Sequence, residues 1–412
     1  MNPCGLDVAG IKKDFPILER RINDHRLVFL DSAASSQRPV AVTDAMTEFY
    51  ETTYANVHRG VYTIAEEATA RYEGVRRQVA RWIGATSTRE VVFSKNVTEA
   101  INLVANSWGR TNLGPGDVVV LTEMEHHANL VPWLMLKESI GIELRYLRVT
   151  DDGLLDLSDL EEKVDGAKLV GVTAVSNVLG TINPVRRIAD AAHAAGALVI
   201  VDGTQLTPHF ATDVAALGAD FYGFTGHKML GPNGIGVLWA REELLEAMPP
   251  FLGGGDMISD VRLDGFTPNE LPWKFEAGTP PIGEVIGLGA AIRYLDNLGF
   301  DAIRAHERDL TVYAARALTD RYGEDMTIYG ITDPDLRSGV MSFGFRGIHP
   351  HDLSQVLDQK AICVRAGHHC AKPLMRRLNV SATARASWYV YNDEADIDAL
   401  ADALADAADL FS

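Results

Sequence analysis

The chain has 412 residues, with 38 lysines and arginines against 56 aspartates and glutamates, and three cysteines. A formal net charge of −18 leaves no basic surface for a phosphate backbone and excludes nucleic-acid binding as an expectation. Hydrophobic content of 47% with 23% charged residues is that of an ordinary folded protein, while Cys4, Cys363 and Cys370 are too few and too scattered for a disulfide framework or a zinc ligand set. The N-terminus lacks an apolar signal segment and no run of about 18 apolar residues occurs, so the sequence predicts a cytoplasmic protein in a reducing compartment, without membrane contact.

In chain order, the first sixty residues read as an arm: a short helix, a strand near LVFLD (27–31) and a helix over 40–53. From about residue 90 to 240, short β-rich runs alternate with helical patterns. The strands are EVVFSK (90–95), DVVVLTEM (117–124), ELRYLRV (143–149), KLVGVTAV (168–175), ALVIVDG (197–203), DFYGFTG (220–226) and GIGVLWA (234–240). Helices are expected over 98–108, 130–140 and 185–195, the last with apolar residues at helical spacing and Gly196 as its C-cap. Runs such as LVIVDG, apolar on both faces, suit strands covered by helices above and below, and their alternation with helices predicts a mostly parallel sheet.

After residue 283 the rhythm changes. Two long helices are expected over 284–298 and 301–322, then strands MTIYG, VMSFGF, ICVRAG and ASWYVY mixed with helices over 351–359 and 394–409. The division read from this pattern is an arm at 1–30, a large α/β domain at 31–285 and a smaller α+β domain at 286–412.

In open α/β sheets, ligands collect beyond the carboxyl ends of the strands. Five of the expected strands end in polar groups: Asn96 and Thr98, His126 and His127, Asn177, Asp202 and Gln205, and Thr225, His227 and Lys228. A lysine within FTGHKMLGPNGIGVLW sits in an apolar, glycine-rich frame, where desolvation lowers an amine's pKa and makes it a nucleophile toward aldehydes. Asp202 closes LVIVD, and a buried carboxylate there needs a partner. A lysine amine together with an aspartate facing a pyridinium nitrogen is the protein's half of pyridoxal-phosphate chemistry. The competing readings are a solvated Lys228, a helix-capping Asp202 and a packed core His126. Thr98 opens a helix after a strand, which suits a phosphate but is equally a capping arrangement with Glu99.

TGHK with its following GPNGIG, VDGTQ, EMEHHAN, FEAGTPP, RAGHHCA and TARASWYVYN resembles the class V aminotransferase family of pyridoxal-phosphate enzymes. Within that family the segments resemble the SufS-type (group II) cysteine desulfurases, from about residue 15 to the C-terminus. The resemblance implies fold type I, with the large sheet domain and smaller C-terminal domain described above, and a homodimer. It implies that Lys228 holds the cofactor, Asp202 pairs with its ring nitrogen, Gln205 contacts the ring oxygen and His126 stacks on the ring. It assigns Thr98, Thr225 and His227 to the phosphate, with Thr279 reaching in from the partner subunit. Asn177 and Arg385 would bind the substrate carboxylate, and His58 would lie near the site; a guanidinium is the natural bidentate partner of a carboxylate.

Cys370 would be the nucleophile, with His368 and His369 beside it to favour the thiolate. Cys363 reads as a small buried hydrophobe and Cys4 as part of the terminus. The implied reaction converts L-cysteine to L-alanine, leaving a Cys370 persulfide whose sulfur passes to a small acceptor protein for iron–sulfur cluster assembly. His351 in HPHDLS points to a zinc-binding SufU-type acceptor over a SufE-type one, although it also suits a first-turn helix residue. No metal is expected to reside in the protein. The alternatives are a selenocysteine lyase or another β-lyase on the same fold, and a non-catalytic scaffold. A dinucleotide-binding reading fails because no G-x-G-x-x-G opens a helix after a strand.

Overall fold

The computed structural model describes residues 5–411. Its centre is a seven-stranded sheet formed by β1 (Val91–Ser94), β2 (Val118–Thr122), β3 (Glu143–Leu147), β4 (Ala167–Thr173), β5 (Leu198–Asp202), β6 (Phe221–Thr225) and β7 (Gly236–Ala240), in the order β1-β7-β6-β5-β4-β2-β3. All seven expected strands form. Every neighbouring pair is parallel except those made by β7, which runs antiparallel to both β1 and β6. The reversal has a simple cause: the 226–235 connection is shorter than the dozen or so residues a parallel crossover needs.

The sheet is covered on both faces, as the two-sided apolar runs require. Val118 and Val120 join one core with Val170, Val172, Val199 and Val201, while Val119 and Leu121 join the other with Leu169 and Ile200. This alternation is the period-two pattern of a strand packed between two layers. Helix Ile282–Leu298 crosses residue 285, packs on helices Val40–Thr52 and Thr63–Trp82, and contributes Val285, Ile286, Leu288 and Ile292 to the first of these cores. Gly299, at φ 80°, breaks it from helix Phe300–Tyr322.

A second, antiparallel sheet holds β8 (Met326–Ile328), β9 (Val340–Phe345), β10 (Arg365–Gly367) and β11 (Thr383–Ser387) in the order β8-β9-β11-β10. Helices Phe300–Tyr322, Pro350–Gln359 and Glu394–Leu410 share its core. The N-terminal segment is tied to this unit: Val28–Phe29 pairs in parallel with Ile362–Cys363, Asp31 bridges to Ser387, and Lys12 bonds Asp393 at 2.6 Å.

The strand expected over ASWYVY lies three residues earlier, at Thr383–Ser387. Trp388, Tyr389 and Tyr391 are fully buried but pack in a bend, with Tyr389 donating to the Pro208 carbonyl and Tyr391 bonding Ser32. Their aromatic composition mimics a strand, while the true strand contains a buried arginine, Arg385, that hydrophobic patterning rejects. The exposed hairpin Ile258–Arg262 and Gly265–Pro268 also has no counterpart in the sequence reading. Cys4 lies outside the described residues.

Candidate active site

Because β1, β2, β4, β5 and β6 are mutually parallel, their carboxyl ends share one edge of the sheet. A cavity of about 280 Å³ opens there, lined by Thr98, His126, Asn177, Asp202, Gln205, Thr225, His227, Lys228, Cys370 and Arg385. Ten of the residues singled out from the sequence thus meet in one place. Three do not. His58 is bonded to Glu73 at 2.9 Å and packs on Tyr72 and Trp273; Thr279 is exposed; His351 is exposed in the first turn of helix Pro350–Gln359, stacked on His349. Larger grooves elsewhere on the surface gather no comparable chemistry.

Lys228 follows β6 in a single helical turn, Gly226–Lys228. Burial, with Arg385 adding to it, lowers its amine to about 8, against a smaller opposing pull from Asp202. Asp202 ends β5 and closes a turn by accepting the Thr204 amide at 3.0 Å. Burial raises its pKa despite the Thr204 bonds and Lys228, so the carboxylate sits where a cationic partner would be stabilising. Gly203, directly after it, has no room for a side chain: an added Cβ would lie 2.0 Å from the Tyr222 ring.

His126 accepts the Ala128 amide through Nδ1 at 3.1 Å, which places its proton on Nε2. Burial, followed by Lys228, His127 and Arg385, lowers it to about 3 and keeps the ring neutral. Beneath it Glu125 accepts from Thr122, Asn129 and the Thr173 amide, each at 2.8 Å. Burial outweighs those bonds and pushes Glu125 up to about 8, so it is largely protonated at neutral pH.

At the other end of the cavity, helix Val97–Val104 starts with Asn96 as N-cap, its side chain accepting the Glu99 amide at 3.0 Å. The capping role read for Thr98 therefore belongs to Asn96, and the Thr98 hydroxyl is exposed at the cavity edge. Gly236 makes the approach of this helix possible, since a Cβ there would lie 2.6 Å from the Asn96 backbone. First-turn amides without intrahelical partners, with Thr225 and His227 nearby, form a place for an anion.

The segment carrying Cys370 is held in an unusual shape. His369 and Cys370 both have positive φ, 50° and 55°, a conformation costly for non-glycine residues that persists only where the surroundings enforce it. The enforcing bonds are His127 N–H to the Cys370 carbonyl (2.8 Å), Asn177 Nδ2 to the His369 carbonyl (2.7 Å), and His369 Nε2 with Thr383 Oγ1 (2.9 Å). The thiol of Cys370 is exposed at the cavity mouth, whereas Cys363 is half-buried and its thiol is pushed up by burial.

Arg385 lies in β11 with only 2% of its surface exposed. Its Nη1 donates to the Asn177 carbonyl at 2.8 Å and Nη2 to Asp31 at 3.2 Å, while Nε has no partner. Gln205 Oε1 and Thr204 Oγ1 are likewise buried and unpartnered beside the cavity. Buried polar atoms are normally satisfied, so this set marks a site built for a polar ligand. A reactive amine, a buried carboxylate across from it, a neutral imidazole and an anion cradle fit pyridoxal phosphate group by group.

Fold and donor set together are of the kind found in fold type I pyridoxal-phosphate enzymes. The aminotransferase class-V model matches residues 28–400, and the chain belongs to that family. The "Probable cysteine desulfurase" of Streptomyces coelicolor is 52% identical, covering 99% of both chains, and the "Cysteine desulfurase" of Haloferax volcanii is 46% identical, covering 99% of this chain and 98% of that one. Among solved structures, an apo cysteine desulfurase from Thermococcus onnurineus superposes with a TM-score of 0.93 at 40% identity, covering 98% of each chain. The Escherichia coli cysteine desulfurase CsdA, solved as an S-sulfonic acid, follows with a TM-score of 0.90 at 40% identity, covering 98% of this chain and 99% of that one.

Asp31, Thr204, Glu125 and Arg365 belong to the site and were not anticipated. Two left a trace: Asp31 ends LVFLD as Asp202 ends LVIVD, and Glu125 directly precedes the histidine pair.

Proposed function

We propose that the protein is a pyridoxal-phosphate-dependent cysteine desulfurase that converts L-cysteine to L-alanine and retains the sulfur on Cys370. The observation that carries this reading is an exposed thiol on an enforced turn at the mouth of the cavity holding Lys228, Asp202 and His126. Plain transamination needs no such thiol. That the relatives are named cysteine desulfurases supports the same reaction.

Bound at the site, the cofactor would supply an electron sink for charge developing at the substrate's α-carbon. The chain's own groups do the rest. Arg385, through its free Nε and through Nη2, receives the substrate carboxylate, with Asn177 alongside. Lys228, its amine poised near neutrality, removes the α-proton. Asp202 would hold the cofactor's ring nitrogen and favour its protonation, and the neutral His126 would help hold the ring. The Cys370 thiolate then attacks the substrate sulfur. The new S–S bond forms as the Cβ–S bond breaks, the released pair stays with carbon and is protonated, and alanine leaves a Cys370 persulfide. Cysteine plus thiol gives alanine plus persulfide without an external oxidant or reductant.

We assign the enzyme to the SufS type, acting as a cytoplasmic homodimer in which Thr279 enters the partner's site and His58 lies near it. Its persulfide sulfur would go to a SufU-type acceptor for iron–sulfur cluster assembly. No helix among the described residues is long and apolar enough to cross a membrane. The exposed His351 is the residue for that acceptor's zinc. Replacing it by alanine should leave alanine release without acceptor unchanged and abolish stimulation by a zinc-loaded acceptor; unchanged stimulation would remove His351 from the role. The function itself is tested by alanine and sulfide release from L-cysteine.

A further inference from the structure

The turn from His126 to Asn129 meets the site on two sides. His126 lines the cavity, while His127 holds the segment that carries Cys370: its amide donates to the Cys370 carbonyl at 2.8 Å, and its Nε2 accepts the Lys372 amide at 3.1 Å. The turn is itself anchored by a buried polar chain that the mechanism above does not use. Glu125 Oε1 accepts the Thr122 hydroxyl at the end of β2 and the Thr173 amide at the end of β4, and Oε2 accepts Asn129 Nδ2, each at 2.8 Å. Thr173 is in register with Asp202 on the neighbouring β5. Asn129 Oδ1 accepts Trp133 Nε1 at 3.2 Å, which fixes the amide with its NH2 toward Glu125. Glu125, Asn129 and Trp133 are each at most 1% exposed. Gly171 on β4 leaves room for the chain, since a Cβ there would lie 3.2 Å from Asn129 Nδ2 and 2.7 Å from the Leu121 side chain.

We propose that Glu125 is a positioning residue: by joining the turn to the ends of β2 and β4, it sets the place of the Cys370 thiol relative to His126 and Lys228. The proposal rests on the desulfurase reading above, in which that thiol must reach the substrate sulfur. The chain requires an acceptor at both Glu125 oxygens. A glutamine could keep an oxygen for Thr173 but would turn its NH2 onto the Asn129 NH2, leaving two buried donors face to face. Exchanging both residues, Glu125→Gln with Asn129→Asp, reverses the polarity of that one bond. Trp133 and Thr173 then still donate to oxygens, and the number of carboxyl groups is unchanged.

The test follows two properties of the holoenzyme: the first-turnover rate of alanine formation, and hydrogen exchange measured by mass spectrometry without substrate. In Glu125→Gln the first turnover should slow about tenfold at saturating L-cysteine while the half-saturating concentration stays within about twofold, the pattern of misplaced reacting groups rather than lost binding. Exchange should rise together in the peptides containing the His127 and Lys372 amides, and not in β5 or β6. The double variant should bring both properties back to within about threefold of the wild type, since the two residues act as one pair. Should Glu125→Gln fold poorly, Asn129→Ala cuts the same link while Glu125 keeps Thr122 and Thr173, and the same paired change is expected. An unchanged first turnover, a loss that the double variant does not recover, or faster exchange spread over the whole sheet would leave Glu125 a purely structural residue and overturn the proposal. Exchange is read without turnover, and wild-type alanine release judges the desulfurase reading by itself, so the two failures are distinct.

Discussion

Cys370→Ser should bind pyridoxal phosphate and L-cysteine like the wild type, yet release alanine at least about a hundredfold more slowly, since a hydroxyl cannot replace the thiolate as nucleophile. The thiol is exposed, and the turn that carries it is held by backbone groups and by the side chains of Asn177, His127 and His369. The fold should therefore change by less than about 0.5 kcal/mol, as for ordinary surface substitutions. A yellow, stable variant with near-normal alanine release would take the nucleophile's role away from Cys370. Loss of colour would instead indicate that the turn shapes the cofactor site.

The largest loss of stability is expected at Glu276. Its carboxylate receives Arg76 through two bonds of 2.6 and 2.9 Å, and also the Phe93 amide at 2.7 Å and the Tyr72 hydroxyl at 3.2 Å. Arg76 has no exposed surface and lies 4.4 Å over the Phe93 ring. Its remaining partners are Glu73 and the Val91 carbonyl. Burial raises Glu73, but its bonds to His58 and Arg76 outweigh that and bring it to about 2.

Glu276→Ala would leave Arg76 buried with half of its compensation, which costs about 3–5 kcal/mol. Urea unfolding of the holoenzyme should show this as a shifted midpoint with unchanged slope. Pairing the change with Arg76→Met should recover most of the loss, because a buried ion pair replaced as a unit is often nearly neutral. A single-variant loss below about 1 kcal/mol would show that solvent reaches the pair. The network joins helix Thr63–Trp82, β1 and the segment leading to Thr279, so it also sets how FEAGTPP leaves the large sheet.

Much of this site was legible because its chemistry sits at strand ends. A parallel sheet puts the ends of LVIVD, DFYGFT and VVVLT on one edge, so hydrophobic patterning alone juxtaposes Asp202, Lys228 and His126. The antiparallel insertion of β7 was invisible to patterning, since GIGVLWA reads alike in either direction. Its orientation depends on the length of the preceding loop.

Asp31 and Arg365 escaped for a different reason. They lie 334 residues apart, and a single sequence carries no sign of which distant charges pair. The displaced strand at Thr383–Ser387 shows the converse: a buried arginine inside a strand contradicts the pattern, and it does so at a residue proposed to bind substrate.

The central claim is tested most directly by mixing holoenzyme with excess L-cysteine, without acceptor or reductant, and measuring alanine alongside the mass of the Cys370 peptide. The account predicts a first turnover of one alanine per chain and a gain of one sulfur atom on Cys370, neither occurring in Cys370→Ser. Alanine formed with Cys370 unmodified, or no alanine at all, would contradict it.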